Sequence, residues 1–185
     1  MRRLQRRQVL TGAAALGMSS FGATLAHAVP APATDEWQRQ IGLATGEGKR
    51  LFMLFYASWC GYCRLFDMLL ADPVASAIIN REFKVFHMRA LERTDAFKAR
   101  QIAGADEMYR RFATPTAGLP FYVVFDGAGE PVVTSLAPDS GENIGFPVAK
   151  HDLDMFEKIM KRGAPKLTRE ELTTLRTACA RMMRR

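Results

Sequence analysis

Hydrophobic and polar residues fall along this chain in blocks whose spacing predicts a succession of strands and helices. An apolar run at residues 51–56 (LFMLFY) is long enough for one buried strand, and residues 83–88 and 121–125 have the composition of two more. A tight-turn signal, DGAG at residues 126–129, follows the third strand. Residues 131–134 are therefore predicted to pair back as an edge strand.

Apolar residues at three- and four-residue spacing predict helices between these strands and after them. Thr34 or Asp35 is expected to cap the first helix, and a capping box of Thr168 and Glu171 is expected to start the last one. The predicted helices cover about residues 35–44, 64–71, 73–79, 106–112 and 152–160, followed by the helix that starts at Thr168.

This order of elements predicts an α/β fold. Strands that are separated by helices favour a central sheet with helices on both faces, and one extra helix is appended at the C-terminus. Residues 92–104 are polar and irregular, and residues 137–148 have the composition of a loop.

The first 28 residues have the features of a cleavable signal peptide. The N-terminal residues are basic without any acid, a mildly apolar stretch follows to Leu25, and cleavage is expected after Ala28. The pair Arg6-Arg7 followed by QVL resembles the twin-arginine export motif, and an ordinary Sec signal is the alternative. We therefore expect the mature protein in the periplasm.

The remaining sequence divides into three predicted segments. Residues 29–36 form a proline-containing linker, residues 37–163 form the main domain, and residues 164–185 form a C-terminal helical extension. Removing the leader lowers the net charge from +7 to an excess of three, because four of the 26 basic residues lie in it and all 19 acids lie outside it. No basic patch interleaved with aromatic residues is present, so nucleic acid is not an expected partner.

The chemistry of the chain is concentrated in WCGYC at residues 59–63, where the first predicted strand gives way to a helix. This spacing places Cys60 at a helix N-terminus, where unpaired N–H groups and the helix dipole stabilise a thiolate. Cys63, one turn further along, is within reach of the first sulfur and can form a disulfide with it. An exported protein with one close cysteine pair is expected to perform disulfide chemistry.

Other uses of a Cys-x-x-Cys motif fit this sequence less well. A structural zinc site needs four ligands, and only Cys179, His87 and His151 remain outside the leader. Covalent haem attachment needs a histidine directly after the second cysteine, and Arg64 occupies that position. A structural disulfide seldom spans two residues at a helix start. No metal or cofactor is therefore expected beyond the redox-active cysteine pair.

Three groups of residues together resemble the thioredoxin superfamily. They are YASWCGYCR at residues 56–64, GLP at residues 118–120, and the hairpin that follows. The resemblance runs from about Trp37 to Gly163 and implies the thioredoxin fold, a central mixed sheet flanked by helices. Within the superfamily, the sequence is most similar to the C-terminal domains of DsbD-type transmembrane reductases and their single-domain relatives.

The resemblance implies a set of site residues. Cys60 would be the nucleophile and Cys63 the resolving cysteine, with Gly61 between them. Pro120 would be cis and lie against the cysteine pair, and Leu119 would offer its backbone groups to an extended substrate. Trp59 and Tyr62 would flank the sulfur, either as a docking surface or as packing residues.

Leu54 departs from the thioredoxin pattern, and Cys179 is a third cysteine that is not part of it. Thioredoxins have a buried aspartate six residues before the first cysteine, whereas this chain has Leu54 there. Either another acid or water takes over the role of that aspartate, or thiol–disulfide exchange is slower. Cys179 lies on the apolar stripe of the last helix, where a free cysteine is expected to be a small core residue.

The functional expectation is a periplasmic reductase of protein disulfides. Its expected partners are disulfide-bearing proteins and a membrane reductase that supplies electrons, and we expect a monomer. Two alternatives stay open: a disulfide isomerase or oxidase that uses the same cysteine pair, and a thioredoxin-like module that binds clients without turnover.

Overall fold

The computed structural model describes residues 32–184, so the predicted signal peptide and most of the predicted linker lie outside the described residues. The four strands are β1 (Arg50–Tyr56), β2 (Phe83–Arg89), β3 (Phe121–Phe125) and β4 (Pro131–Thr134). The helices are α1 (Ala33–Gly46), α2 (Gly61–Ala71), α3 (Pro73–Glu82), α4 (Asp95–Lys98), α5 (Ala105–Phe112), α6 (Lys150–Gly163) and α7 (Arg169–Met182).

The strands form one mixed sheet in the order β2-β1-β3-β4. β1 pairs in parallel with β2, whereas β3 runs antiparallel to both β1 and β4. Helices lie on both faces of the sheet, which confirms the predicted α/β thioredoxin fold. The parallel pairing also brings the residues that follow β1 and β2 to the same end of the sheet.

The two central strands, β1 and β3, are buried on both faces of the sheet. Successive side chains of a strand point to opposite sides, so each of these strands contributes to two cores. One face packs against α2, α3, α6 and α7, and the other packs against α1 and α5. The first core contains Phe52, Leu54, Tyr122 and Val124 from the strands, and the second contains Leu51, Met53, Phe55, Phe121, Val123 and Phe125.

The predicted start of the first helix is wrong. α1 begins at Ala33, its cap position is held by Pro32, and neither Thr34 nor Asp35 caps it. The carbonyl of Pro32 accepts the N–H groups of Asp35 and Glu36 at 2.9 and 3.1 Å, so the first turn closes before Thr34 can act as a cap.

The capping box at the start of α7 is confirmed, since Thr168 and Glu171 bond reciprocally. Helix α3 starts directly after α2, and the Asp72 carboxylate caps it by accepting the N–H groups of Val74 and Ala75. The short helix α4 lies within the polar segment 92–104, where the sequence pattern predicted no regular structure.

Helix α7 contributes to the main core. Leu175, Ala178, Cys179 and Met182 are buried in the same core as Phe52 and Tyr122. Ion pairs also join α7 to other helices, among them the pair of Glu171 with Arg81 and the pair of Arg181 with Asp72, the second at 2.6 Å. The division of the chain at residue 163 remains a prediction.

Within residues 32–184, no helix has both the length and the apolar character that crossing a membrane requires.

Candidate active site

Cys60 and Cys63 lie at the junction between β1 and α2. Cys60 occupies the N-cap position of α2, and Cys63 lies in the first turn of that helix. The two cysteines form a disulfide, with their Cα atoms 5.3 Å apart, and both are buried in this oxidised state. The structure therefore brings together the pair that the sequence singled out.

The Cys60 sulfur occupies the place of a capping side chain. Sγ accepts a hydrogen bond from the backbone N–H of Cys63 at 3.1 Å, while the Cys60 N–H itself donates to the carbonyl of Ala57 at 3.1 Å. The free N–H groups of a helix N-terminus and the helix dipole favour negative charge at that position. A thiolate at Cys60 would consequently be more stable than a thiolate of free cysteine.

The aromatic residues beside the cysteines are exposed. Tyr62 is 52% exposed and Trp59 is 38% exposed. Tyr62 also borders an open, mainly apolar depression of about 530 Å³ along α2, which Arg64 lines as well. These side chains thus form an accessible surface next to the disulfide.

Trp59 is fixed in its position by two contacts. Its indole Nε1 donates to the carbonyl of Leu91 at 2.8 Å, and the Arg93 guanidinium lies 3.7 Å from the ring centroid. A cation at this distance from an indole face is attracted to it. Trp59 therefore presents a fixed face, with a positive charge over it, at the edge of the site.

The loop before β3 reaches the same end of the sheet. Phe121 pairs with Phe55, so Pro120 lies at the end of β3 that adjoins the cysteine turn. The Leu119–Pro120 peptide bond is cis, the isomer that the resemblance implies. Pro120 is buried and Leu119 is half-buried.

Glu92 is a buried acid that the sequence analysis did not single out. Its carboxylate accepts the N–H and the hydroxyl of Ser58 at 2.8 and 2.7 Å, and Arg89 Nη1 donates to it at 2.7 Å. Its side chain is fully buried. Burial raises the pKa of Glu92, but the hydrogen bonds from Ser58 and Arg89 outweigh burial and lower it overall.

The position of Glu92 follows from the sheet topology. Glu92 follows β2 just as Ser58 follows β1, and parallel neighbouring strands end at the same edge. An acid shortly after the second predicted strand was the available signal, but the strand pairing had to be known to use it. Among the described residues, the hydrogen bonds of this carboxylate go to Ser58 and Arg89 and to neither cysteine.

Leu54 lies in the apolar core that holds Phe66 and Leu69 of the cysteine-bearing helix. Its side chain has no exposed surface. The position where thioredoxins have a buried acid is thus an ordinary hydrophobic contact in this protein.

Cys179 is a core residue, which confirms the sequence expectation. It is buried, is not part of the disulfide, and packs in the same core as Tyr122. Burial raises the pKa of the Cys179 thiol to about 12. Within residues 32–184, no three His, Cys, Asp or Glu side chains are close enough together to hold a metal ion.

Comparison with known proteins gives one informative match. The sequence model of the thioredoxin-like domain family matches residues 37–138, more than half of the chain. No curated protein is significantly similar to the chain in sequence.

Solved structures give weaker similarities. A disulphide isomerase from Xylella fastidiosa Temecula1 is 21% identical, with a TM-score of 0.43 over 55% of this chain and 72% of that one. A DsbH oxidoreductase is 13% identical, with a TM-score of 0.45 over 69% of this chain and 81% of that one. A thioredoxin from Thermus thermophilus is 23% identical, with a TM-score of 0.39 over 56% of this chain and 70% of that one.

Proposed function

The chain belongs to the thioredoxin-like domain family, and from this we propose that it is a thiol:disulfide oxidoreductase that reduces protein disulfides through Cys60 and Cys63. The observation that carries the proposal is the placement of the Cys60 sulfur. It caps α2, accepts the N–H of Cys63 and is bonded to the Cys63 sulfur in the oxidised state. A sulfur in this environment can act as nucleophile, and its disulfide with Cys63 can be opened and closed.

The first step is attack by the Cys60 thiolate on one sulfur of a substrate disulfide. The substrate S–S bond breaks, one substrate sulfur leaves as a thiolate, and the other becomes joined to Cys60 in a mixed disulfide. The capping N–H groups of α2 stabilise the attacking thiolate, as they stabilise any negative charge at a helix N-terminus.

The second step is attack by the Cys63 thiolate on the Cys60 sulfur. The mixed disulfide breaks, the second substrate sulfur leaves as a thiolate, and the Cys60–Cys63 disulfide forms. The substrate has gained two electrons from the cysteine pair, and its two thiolates then take up two protons, which balance those that Cys60 and Cys63 lost when they ionised. A dithiol donor must then reduce the pair again, and we assign this role to a membrane reductase that carries electrons outward.

Substrate binding uses the surface around the disulfide. Trp59 and Tyr62 provide exposed aromatic area, and Leu119 provides the backbone edge that an extended chain would pair with. The substrate class is a protein segment that contains a disulfide, because a small molecule would need neither the aromatic area nor the backbone edge.

The proposed location is the periplasm. It is supported by the basic, apolar and small-residue pattern of residues 1–28, which lie outside the described residues. An exported reductase works in an oxidising compartment, where the cytosolic thiol pool does not reach it. This is why the proposal includes an electron source in the membrane.

The proposal is tested by measuring disulfide reduction with dithiothreitol as donor. The mature chain is expected to accelerate the reduction of insulin, and Cys60→Ser is expected to reduce this acceleration to the background rate. If Cys60→Ser retained the native rate, the assignment of Cys60 as nucleophile would be wrong. A wild-type chain without any acceleration would favour the alternative of a binding module without turnover.

A further inference from the structure

The side-chain amide of Asn143 reaches across to the loop that precedes β3. Its Nδ2 donates to the carbonyl of Gly118 at 2.8 Å and to the carbonyl of Pro120 at 3.0 Å. These two carbonyls stand on either side of Leu119. One side chain thus holds both neighbours of the residue proposed to contact the substrate backbone.

The orientation of this amide is fixed by chemistry. The carbonyl oxygens of Gly118 and Pro120 can only accept, so the NH₂ end of Asn143 must face them. Its Oδ1 in turn accepts the N–H of Gly145 at 3.2 Å. Both ends of the amide are therefore used, and a flipped amide would lose all three hydrogen bonds.

The backbone of Asn143 is itself anchored to the end of the sheet. It forms an isolated bridge with Leu136, and the N–H of the next residue, Ile144, donates to the carbonyl of Ser135 at 3.0 Å. The side chain consequently projects from a fixed point, although it comes from a segment with no regular secondary structure.

Leu119 has unused backbone groups. Within residues 32–184, neither its N–H nor its C=O has a hydrogen-bond partner, and the residue is half-buried. The Gly118 carbonyl and the Leu119 N–H belong to one planar peptide group and point in opposite directions. Holding that carbonyl therefore also sets the direction of the Leu119 N–H.

We propose that Asn143 is a positioning residue, which keeps the backbone of Leu119 aimed at an extended substrate chain. The inference rests on the proposed function and concerns the substrate side of the same site. Asn143 touches neither substrate nor sulfur in this scheme. It acts through the two peptide groups that flank Leu119.

The neighbouring residues link this loop to the cysteine-bearing helix. Gly145, with φ at +55°, is a neighbour of Pro120, since a Cβ there would be in ordinary van der Waals contact with the Pro120 carbonyl oxygen, at 3.6 Å. Phe146 packs edge-on against Phe66 of α2, with ring centroids 6.0 Å apart. The segment from Asn143 to Phe146 thus contacts both the substrate loop and the helix that starts at Cys60.

The test compares two substrates in the mature protein. One is a disulfide-bearing peptide, which needs backbone pairing at Leu119. The other is a small aromatic disulfide, 5,5′-dithiobis(2-nitrobenzoate), which does not. For Asn143→Ala, we expect KM for the peptide to rise about tenfold, a change of about 1.4 kcal/mol, while kcat and the rate with the small disulfide change less than about twofold.

Two further variants complete the test. Asn143→Asp keeps the size of the side chain but cannot donate when ionised, so it should match the alanine variant, and it carries the test if the alanine variant does not fold. Glu142→Gln, an exposed change one residue earlier, is the control and should leave both substrates unaffected.

An unchanged peptide KM in Asn143→Ala and Asn143→Asp would overturn the inference and leave the proposed function standing. Parallel losses with both substrates would also overturn it, because they would show damage to the cysteine centre and not to substrate positioning. A wild-type protein inactive towards both disulfides would overturn the proposed function and this inference together.

Discussion

The carboxylate of Glu92 fastens the loop after β2 to Ser58, two residues before Cys60, by accepting both the N–H and the hydroxyl of that serine. The same carboxylate accepts from Arg89, and the N–H of Glu92 donates to Gln101 Oε1 at 2.9 Å. The turn that leads into the cysteine pair is thus held by a charged group in the interior of the protein.

Replacing Glu92 with Gln should destabilise the fold. Glutamine keeps the shape but loses the charge-assisted bonds to Arg89 and Ser58, so we expect the free energy of unfolding at pH 7 to fall by about 2 kcal/mol. Urea denaturation of the mature protein measures this change. The matched control is Glu107→Gln, since Glu107 is 74% exposed and should change stability by less than about 0.5 kcal/mol.

The difference between wild type and Glu92→Gln should depend on pH. The folded pKa of Glu92 is lowered below that of an unfolded glutamate, about 4.3, so its contribution is complete above that value and disappears as the pH falls through the folded pKa. The two unfolding free energies should therefore converge in acid. A constant difference from pH 7 down to pH 2 would contradict a charged Glu92 in the folded state.

Cys63→Ala should accumulate mixed disulfides with substrate proteins. The variant can complete the first exchange through Cys60 but has no second thiol to release the product. Non-reducing gels of the protein purified from the periplasm should show covalent adducts that disappear with dithiothreitol. The double variant with Cys60→Ser should show none, and an empty lane for Cys63→Ala alone would count against the two-step scheme.

Cys179 should not react while the protein is folded. Its buried thiol has a pKa of about 12, so almost no thiolate exists at pH 8 and reagents have no access to it. When the oxidised protein is treated with 5,5′-dithiobis(2-nitrobenzoate), it should therefore release no thionitrobenzoate under native conditions. In guanidinium chloride it should release one equivalent. Rapid release of one equivalent from the folded protein would assign Cys179 an exposed or redox role.

The direction of the redox reaction should appear in the equilibrium potential of the Cys60–Cys63 couple. A reductase is expected to have a value near that of thioredoxin, about −270 mV. Equilibration of the mature protein with dithiothreitol buffers, followed through Trp59 fluorescence, measures it. A value near about −120 mV, typical of a disulfide oxidant, would contradict the proposed direction and favour the oxidase alternative.

Most of the fold could be predicted from local patterns. Strands β1 and β3 are determined by their own apolar runs and by the turn after Phe125, whichever strands they pair with. The N-cap position of Cys60 followed from the place where a strand-like run meets a helical one. The start of α1 was missed because Pro32 acts through its backbone carbonyl, which leaves no side-chain signal for a cap.

The parts of the site that depend on tertiary contacts could not be predicted in the same way. Glu92 acts on Ser58 across 34 positions, and Asn143 acts on Gly118 across 25 positions. Both residues come from segments without a periodic pattern. Their roles depend on which strands are neighbours and where those strands end, which single-sequence periodicity does not reveal.

The ion pair between Asp72 and Arg181 has a consequence for the integrity of the cysteine-bearing helix. Asp72 caps α3 directly after the helix that carries the cysteines, whereas Arg181 lies in the last turn of α7. These two residues are 109 positions apart in the sequence. The packing around the cysteine-bearing helix therefore depends on two distant segments, and a fragment without α7 would carry both cysteines without their finished surroundings.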